Sequence, residues 1–304
     1  MTDSPTILVL RALGLGDFFT GLPALQVLRQ ARPDGHIVLA LPRSLWPLAR
    51  LSGTVDSVVQ GHELDPLVDP PQRPDLAIDL HGNGPESRRL LASCSPRRLV
   101  AFGDEGPAWI PDEHEVPRWC RLLSEGLPVA LRRPPSVVGC LPVPDRLPVP
   151  ARRTVVHCGA KAAARRWPPE RFAQVARQLA AQGHDVVITG GADEARTVAA
   201  VAQDAGVEAA YRLSLLELLV LVAGARLVVS GDTGVAHVAS NYATPSVVLF
   251  GPVSPAVWGP PSDARHQVLW HGSGDGDPHA DRPDAALLRI TVAEVMSAAE
   301  RAGG

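Results

Sequence analysis

The stretch Ser230-Gly231-Asp232-Thr233-Gly234-Val235-Ala236-His237 sets an acid, a hydroxyl and an imidazole among glycines. The apolar run 225–229 before it reads as a buried strand. Residues 238–240 after it continue as a helix, with Thr233 or Asp232 as N-cap. A strand that turns through two glycines into a helix presents unpaired backbone N–H groups at a positive dipole end, which suits a phosphate or pyrophosphate. His237 lies one turn after Thr233 and faces the same site, although an imidazole near a helix start is also an ordinary satisfied polar residue. A second strand, 246–250, ends in Gly251-Pro252, as expected of a strand-end site in an α/β sheet.

Three further turns carry chemistry. Arg11-Ala12-Leu13-Gly14-Leu15-Gly16-Asp17 follows the first strand, and Gly14 and Gly16 allow backbone to approach a ligand closely. It is a poor dinucleotide fingerprint, because Phe19 holds the third glycine position and no acid follows the second strand. Asp17 can cap the helix 20–31, act as a general base, or do both. Lys161-Ala162-Ala163-Ala164-Arg165-Arg166-Trp167-Pro168-Pro169-Glu170 starts a helix at Pro169 and Glu170. Its basic residues offer bidentate forks for phosphate oxygens or form a solvated loop. In Gly190-Gly191-Ala192-Asp193-Glu194 the last acid caps a helix or accepts from ribose hydroxyls. Leu213 is either core or a surface for a nucleobase.

The elements that position these residues alternate. Strands at 6–11, 36–41, 57–60, 76–80 and 98–102 are interleaved with helices at 20–31, 43–51 and 86–92, a pattern that predicts a parallel doubly wound sheet. Residues 141–150 hold four prolines (Pro142, Pro144, Pro148, Pro150) and read as a stiff linker. Alternation then restarts with strands at 154–157, 185–189 and 227–230 and helices at 170–181, 193–204 and 215–223. Residues 271–284 read as a loop and 291–301 as a closing helix. The expected domains are 1–145 and 146–304, each a Rossmann-like unit. The closing helix is expected to pack back on the first domain.

The chain has 304 residues and is 45% hydrophobic, enough for two cores of about 150 residues each. A net charge of −3 gives no footprint for nucleic acid. Cys94, Cys120, Cys140 and Cys158 form no CxxC and fit reduced thiols of a cytoplasmic protein. No basic leader precedes the first strand and no apolar run is long enough to span a membrane. His157, Asp232 and His237 are too scattered to predict a metal site.

Taken in order, three motifs resemble those of the heptosyltransferase-type glycosyltransferases of family nine. They are Ile7-Leu8-Val9-Leu10-Arg11 with Gly16-Asp17 and Leu22-Pro23-Ala24-Leu25, then Arg165-Arg166-Trp167-Pro168-Pro169-Glu170-Arg171-Phe172, and finally Ser230-Gly231-Asp232-Thr233-Gly234 with His237 and Gly251-Pro252. The resemblance implies a GT-B architecture, two Rossmann-like domains with an interdomain cleft. It implies inverting, metal-independent transfer of a heptose or heptose-like sugar from a nucleoside-diphosphate donor, ADP-linked, to a hydroxyl of a glycan, lipid or small-molecule acceptor. No cofactor is expected beyond the donor, and a lipid acceptor would bring peripheral membrane contact. Asp17 is then the general base. Arg165, Arg166, Asp232, Thr233, Gly234 and His237 hold the diphosphate, with Arg165 favoured over Arg166, and Glu194 and Leu213 line ribose and base. The competing readings are a non-catalytic nucleotide-sugar-binding module, a dinucleotide-dependent oxidoreductase and a sugar-nucleotide epimerase.

Overall fold

The computed structural model describes residues 4–103, 105–128, 136–145, 147–149 and 152–303. Residues of the expected leaderless start (Met1–Asp3) and of the proline-rich linker (Arg146, Pro150) lie outside them. The described part of that linker contains neither helix nor strand. The chain divides into two compact units, Met1–Pro142 and Val143–Gly304.

The first unit holds five parallel strands, β1 (Thr6–Leu10), β2 (His36–Leu41), β3 (Ser57–Gln60), β4 (Leu76–Asp79) and β5 (Leu99–Val100), in the order β3-β2-β1-β4-β5. Its helices are α1 (Leu15–Ala31), α2 (Trp46–Leu51), α3 (Pro85–Ala92) and α4 (Glu115–Gly126). Strand β1 is buried almost throughout, so it reads as an unbroken apolar run rather than an alternating one. Helix α1 packs against α4, which the sequence reading missed. The amphipathic Val116, Trp119, Cys120, Leu122 and Leu123 were visible, but they follow a Gly/Pro-rich loop that masks where the helix begins.

The second unit holds six parallel strands in the order β11-β10-β9-β6-β7-β8. They are β6 (Thr154–His157), β7 (Val186–Thr189), β8 (Glu208–Ala210), β9 (Leu227–Gly231), β10 (Ser246–Phe250) and β11 (His266–Trp270). Helices α5 (Pro169–Ala181), α6 (Ala195–Ala205), α7 (Leu215–Ala223), α8 (Gly234–Asn241), α9 (Pro255–Trp258), α10 (Ala285–Arg289) and α11 (Val292–Gly303) connect and cover them. The edge strands β8 and β11 escaped the sequence reading because neither is an apolar run. The closing helix α11 packs on α5, β9, β10 and β11 of its own unit and buries Val295, Met296, Ala298, Ala299 and Ala302 there. Residues 271–284 form an irregular connection, as expected.

Each sheet reverses its winding once. In the first unit the chain runs outward from β1 through β2 to β3, then returns to β4 on the other side. In the second it runs from β6 to β8, then returns to β9. Between such strands the loops at the carboxyl ends part and leave a crevice where ligands bind. The crevices lie between the ends of β1 and β4 and between the ends of β6 and β9.

Candidate active site

The loop after β1 brings Asp17 to the first of these crevices. Helix α1 starts at Leu15, not near Thr20, so Asp17 is not its N-cap; Gly14 is. Asp17 sits three residues into the helix, where its Oδ2 accepts the Gly14 N–H at 3.1 Å. This is the helix-side half of a capping box. Neither Gly14 nor Gly16 has positive φ, so the turn does not depend on left-handed backbone at either. The Asp17 side chain keeps 26% of its surface exposed, enough for one edge of the carboxylate to receive a proton.

Behind Asp17 lies a group of residues that sequence reasoning did not single out. Arg11 ends the strand with its side chain buried, its guanidinium 3.6 Å from the Asp17 carboxylate. From the end of β4, His81 faces the same two residues, and its Nδ1 is buried without a hydrogen-bond partner. Burial, reinforced by the Arg11 charge, pushes the His81 imidazole down to about 4, against the pull of Asp17 and Glu63. It is therefore neutral near pH 7. Asp79 is buried beside it, accepting the His81 N–H at 2.9 Å and the Ser87 hydroxyl at 2.6 Å, and burial raises its pKa. The signal for Arg11 was present: a charge at the end of an otherwise apolar strand needs a buried partner.

The second crevice gathers the other motifs. Arg165, in the loop after β6, places Nη1 3.2 Å from Asp232 Oδ2 at the end of β9; Asp232 is 4% exposed. Thr233 takes the N-cap position of α8 in extended backbone, but its hydroxyl makes no capping bond. Thr233 Oγ1, Ser230 Oγ and Arg165 Nε are all buried without a hydrogen-bond partner. Unpartnered donors beside a helix N-terminus make a candidate anion cradle. His237 is buried one turn further on, edge-to-face with Trp258 at 6.0 Å. Arg166 is turned elsewhere, donating from Nε to the Ala160 carbonyl at 2.9 Å and from Nη2 to the Lys161 carbonyl at 3.2 Å. It holds its own loop, while Arg165 faces the cradle. Trp167 anchors that loop by donating Nε1–H to the Ile290 carbonyl and packing edge-to-face on Phe172 at 5.0 Å.

Glu194 ends the turn after β7. Its Oε1 accepts the Ala160 N–H and its Oε2 the Gly191 N–H, each at 2.7 Å, so it ties the loops after β6 and β7 together and keeps lone pairs for hydroxyls. A Cβ on Gly159 would stand 1.7 Å from Glu194 Oε2. Gly159→Ala should therefore expel the carboxylate and cost about 2 kcal/mol, the scale of two lost charge-assisted bonds, which denaturant melts would register. Leu213 is 37% exposed and belongs to the surface, not the core.

His157, at the end of β6, shares Nδ1 with Thr189 Oγ1 at 3.0 Å, and burial pushes it down to about 4. Between that value and the ordinary 6.5 the unfolded chain binds the proton and the folded one does not, so stability falls as pH drops through this window. At pH 5 the loss is about 2 kcal/mol relative to pH 8. Melting curves of His157→Asn should show a shallower fall than wild type over the same range. All four cysteines are free and buried, with burial raising the thiols, Cys120 and Cys158 to about 12. Among the described residues no group of three or more His, Cys, Asp or Glu could hold a metal ion, and no helix is long and apolar enough to cross a membrane.

Two doubly wound parallel sheets, with an anion cradle at the switch point of the second, define the GT-B class of nucleotide-binding folds. The structure of an Escherichia coli ADP-heptose lipopolysaccharide heptosyltransferase II superposes with a TM-score of 0.75 at 21% identity, covering 96% of this chain and 97% of that one. A family 9 glycosyltransferase from Veillonella parvula superposes equally well, at 20% identity over 99% of this chain and 97% of its own. The family model "Glycosyltransferase family 9 (heptosyltransferase)" matches residues 106–281, and the chain belongs to that family. Lipopolysaccharide heptosyltransferase 2 of Salmonella typhimurium is 33% identical over 145 residues, 44% of this chain. The chain covers 41% of the length of that relative and of its E. coli counterpart.

Proposed function

We propose that this protein is an inverting, metal-independent glycosyltransferase that moves a heptose or heptose-like sugar from an ADP-linked donor to a hydroxyl of a glycan or lipid. Asp17 takes the proton of the acceptor hydroxyl, whose oxygen attacks the anomeric carbon as the bond to the diphosphate breaks. The bonding electrons leave on the diphosphate oxygen. Arg165 and the Thr233 and Gly234 N–H groups meet that charge, the electrostatic stabilisation on which such a step depends. His237 adds a further polar contact, Asp232 holds Arg165, and Glu194 and Leu213 receive ribose and base.

The observation that carries this reading is the cradle after β6 and β9, where Arg165 Nε and Thr233 Oγ1 are buried and unpartnered beside the start of α8. A guanidinium and a helix N-terminus supply the positive charge that a divalent ion supplies elsewhere, which supports the metal-independent form. The names of the relatives favour a heptose donor and a lipopolysaccharide acceptor. ADP release from ADP-heptose, with lipopolysaccharide core as acceptor and excess EDTA present, tests the proposal. It predicts turnover that the chelator does not reduce; no ADP release with any glycan tried, or release abolished by EDTA, would count against it.

A further inference from the structure

We infer that Arg11 is a positioning residue that fixes the Asp17 carboxylate against the end of β4; this rests on Asp17 being the base. The side chain of Arg11 is 2% exposed, and its donors converge on the residues that frame Asp17. Nε donates to the Asp17 carbonyl at 2.9 Å, Nη2 to Thr20 Oγ1 at 2.8 Å, and Nη1 to the Leu80 carbonyl beside His81. Thr20 Oγ1 donates in turn to the Asp17 carbonyl at 3.1 Å. Main chain and side chain of Asp17 are thereby held from both sides, the carboxylate between the Gly14 N–H and the guanidinium.

The guanidinium has a second acidic neighbour, whose charge is met by other partners. Glu115 lies 3.6 Å from Nη2, but it already has Arg118 as ion-pair partner and accepts Trp119 Nε1–H at 2.7 Å. Its charge is met without Arg11. Space is also reserved, since a Cβ on Gly21 would approach Arg11 Nε to 3.1 Å, while Trp119 covers the guanidinium face at 4.6 Å. A planar fork bonded to three acceptors, two on α1 and one just after β4, sets an orientation that a point charge on a flexible stem cannot.

The test compares Arg11→Met, Arg11→Lys, Thr20→Val and Asp17→Asn in the full chain, reading ADP release from ADP-heptose, hydrolytic or to an added glycan, together with melting temperature. Arg11→Met should lower kcat by about 100-fold, the scale of a base misplaced by an ångström, with KM for ADP-heptose unchanged. Arg11→Lys should recover part of that loss. Thr20→Val keeps every charge and should lower kcat about fivefold, the scale of one hydrogen bond; it decides the matter if Arg11→Met does not fold. Adding Arg11→Met to Asp17→Asn should cost nothing more. Wild-type kcat in folded Arg11→Met and Thr20→Val beside an inactive Asp17→Asn overturns the positioning role and leaves the base standing. A wild-type rate in Asp17→Asn overturns both.

Discussion

Asp17→Asn should bind ADP as tightly as wild type and turn over at least about 100-fold more slowly, the scale of lost general-base catalysis. The substitution keeps shape and leaves an amide oxygen for the Gly14 N–H that Asp17 now accepts. What it removes is the capacity to take a proton. Asp79 cannot substitute, since it is buried and committed to the Ser87 hydroxyl and the His81 N–H. The donor cradle belongs to the other unit, so affinity for ADP should not move. Calorimetric titration with ADP beside ADP release from ADP-heptose separates the two effects, and wild-type turnover in the variant would remove Asp17 from the mechanism.

Arg165→Ala should do the reverse at the binding step, weakening ADP by roughly 10- to 100-fold, as expected for about 1.5–3 kcal/mol of charged hydrogen bonding. It should also lower kcat, because the leaving diphosphate carries more charge than the bound donor. Asp232 sharpens the expectation. Its carboxylate is 3.2 Å from the guanidinium and 4% exposed, so without Arg165 a buried negative charge faces an anion. Arg165→Ala combined with Asp232→Asn should therefore bind ADP more tightly than Arg165→Ala alone. Titration of the two variants checks the order, and weaker binding in the double variant would mean that Asp232 contacts the donor directly.

The strand, turn and helix start around Asp232 and Thr233 were legible because they form a short segment whose local physics is self-contained, and Thr233 took the N-cap position. The resemblance favoured Arg165 over Arg166, and the structural reason lies outside the motif's spacing, in where Ala160 and Lys161 place the carbonyls that hold Arg166. The first unit was less legible: α1 begins at Leu15 and not near Thr20, since the N-cap role fell to a residue with no side chain and Pro23 sits inside the helix. The support of Asp17 comes from Arg11, Thr20 and Leu80, the first and last 69 residues apart in sequence and joined only by folding. Long-range hydrogen bonds to backbone carbonyls leave no periodic trace in a sequence, whereas strand and helix alternation does.

On the proposed function, the cradle at Arg165 and Thr233 takes a nucleoside diphosphate rather than a dinucleotide. Calorimetric titration of the full chain in EDTA with ADP, UDP and NADH addresses it directly, with Arg165→Ala as control. Saturable binding of ADP that the substitution weakens, with no heat from NADH, is the predicted result. Binding of NADH alone, or ADP binding indifferent to Arg165→Ala, would contradict it.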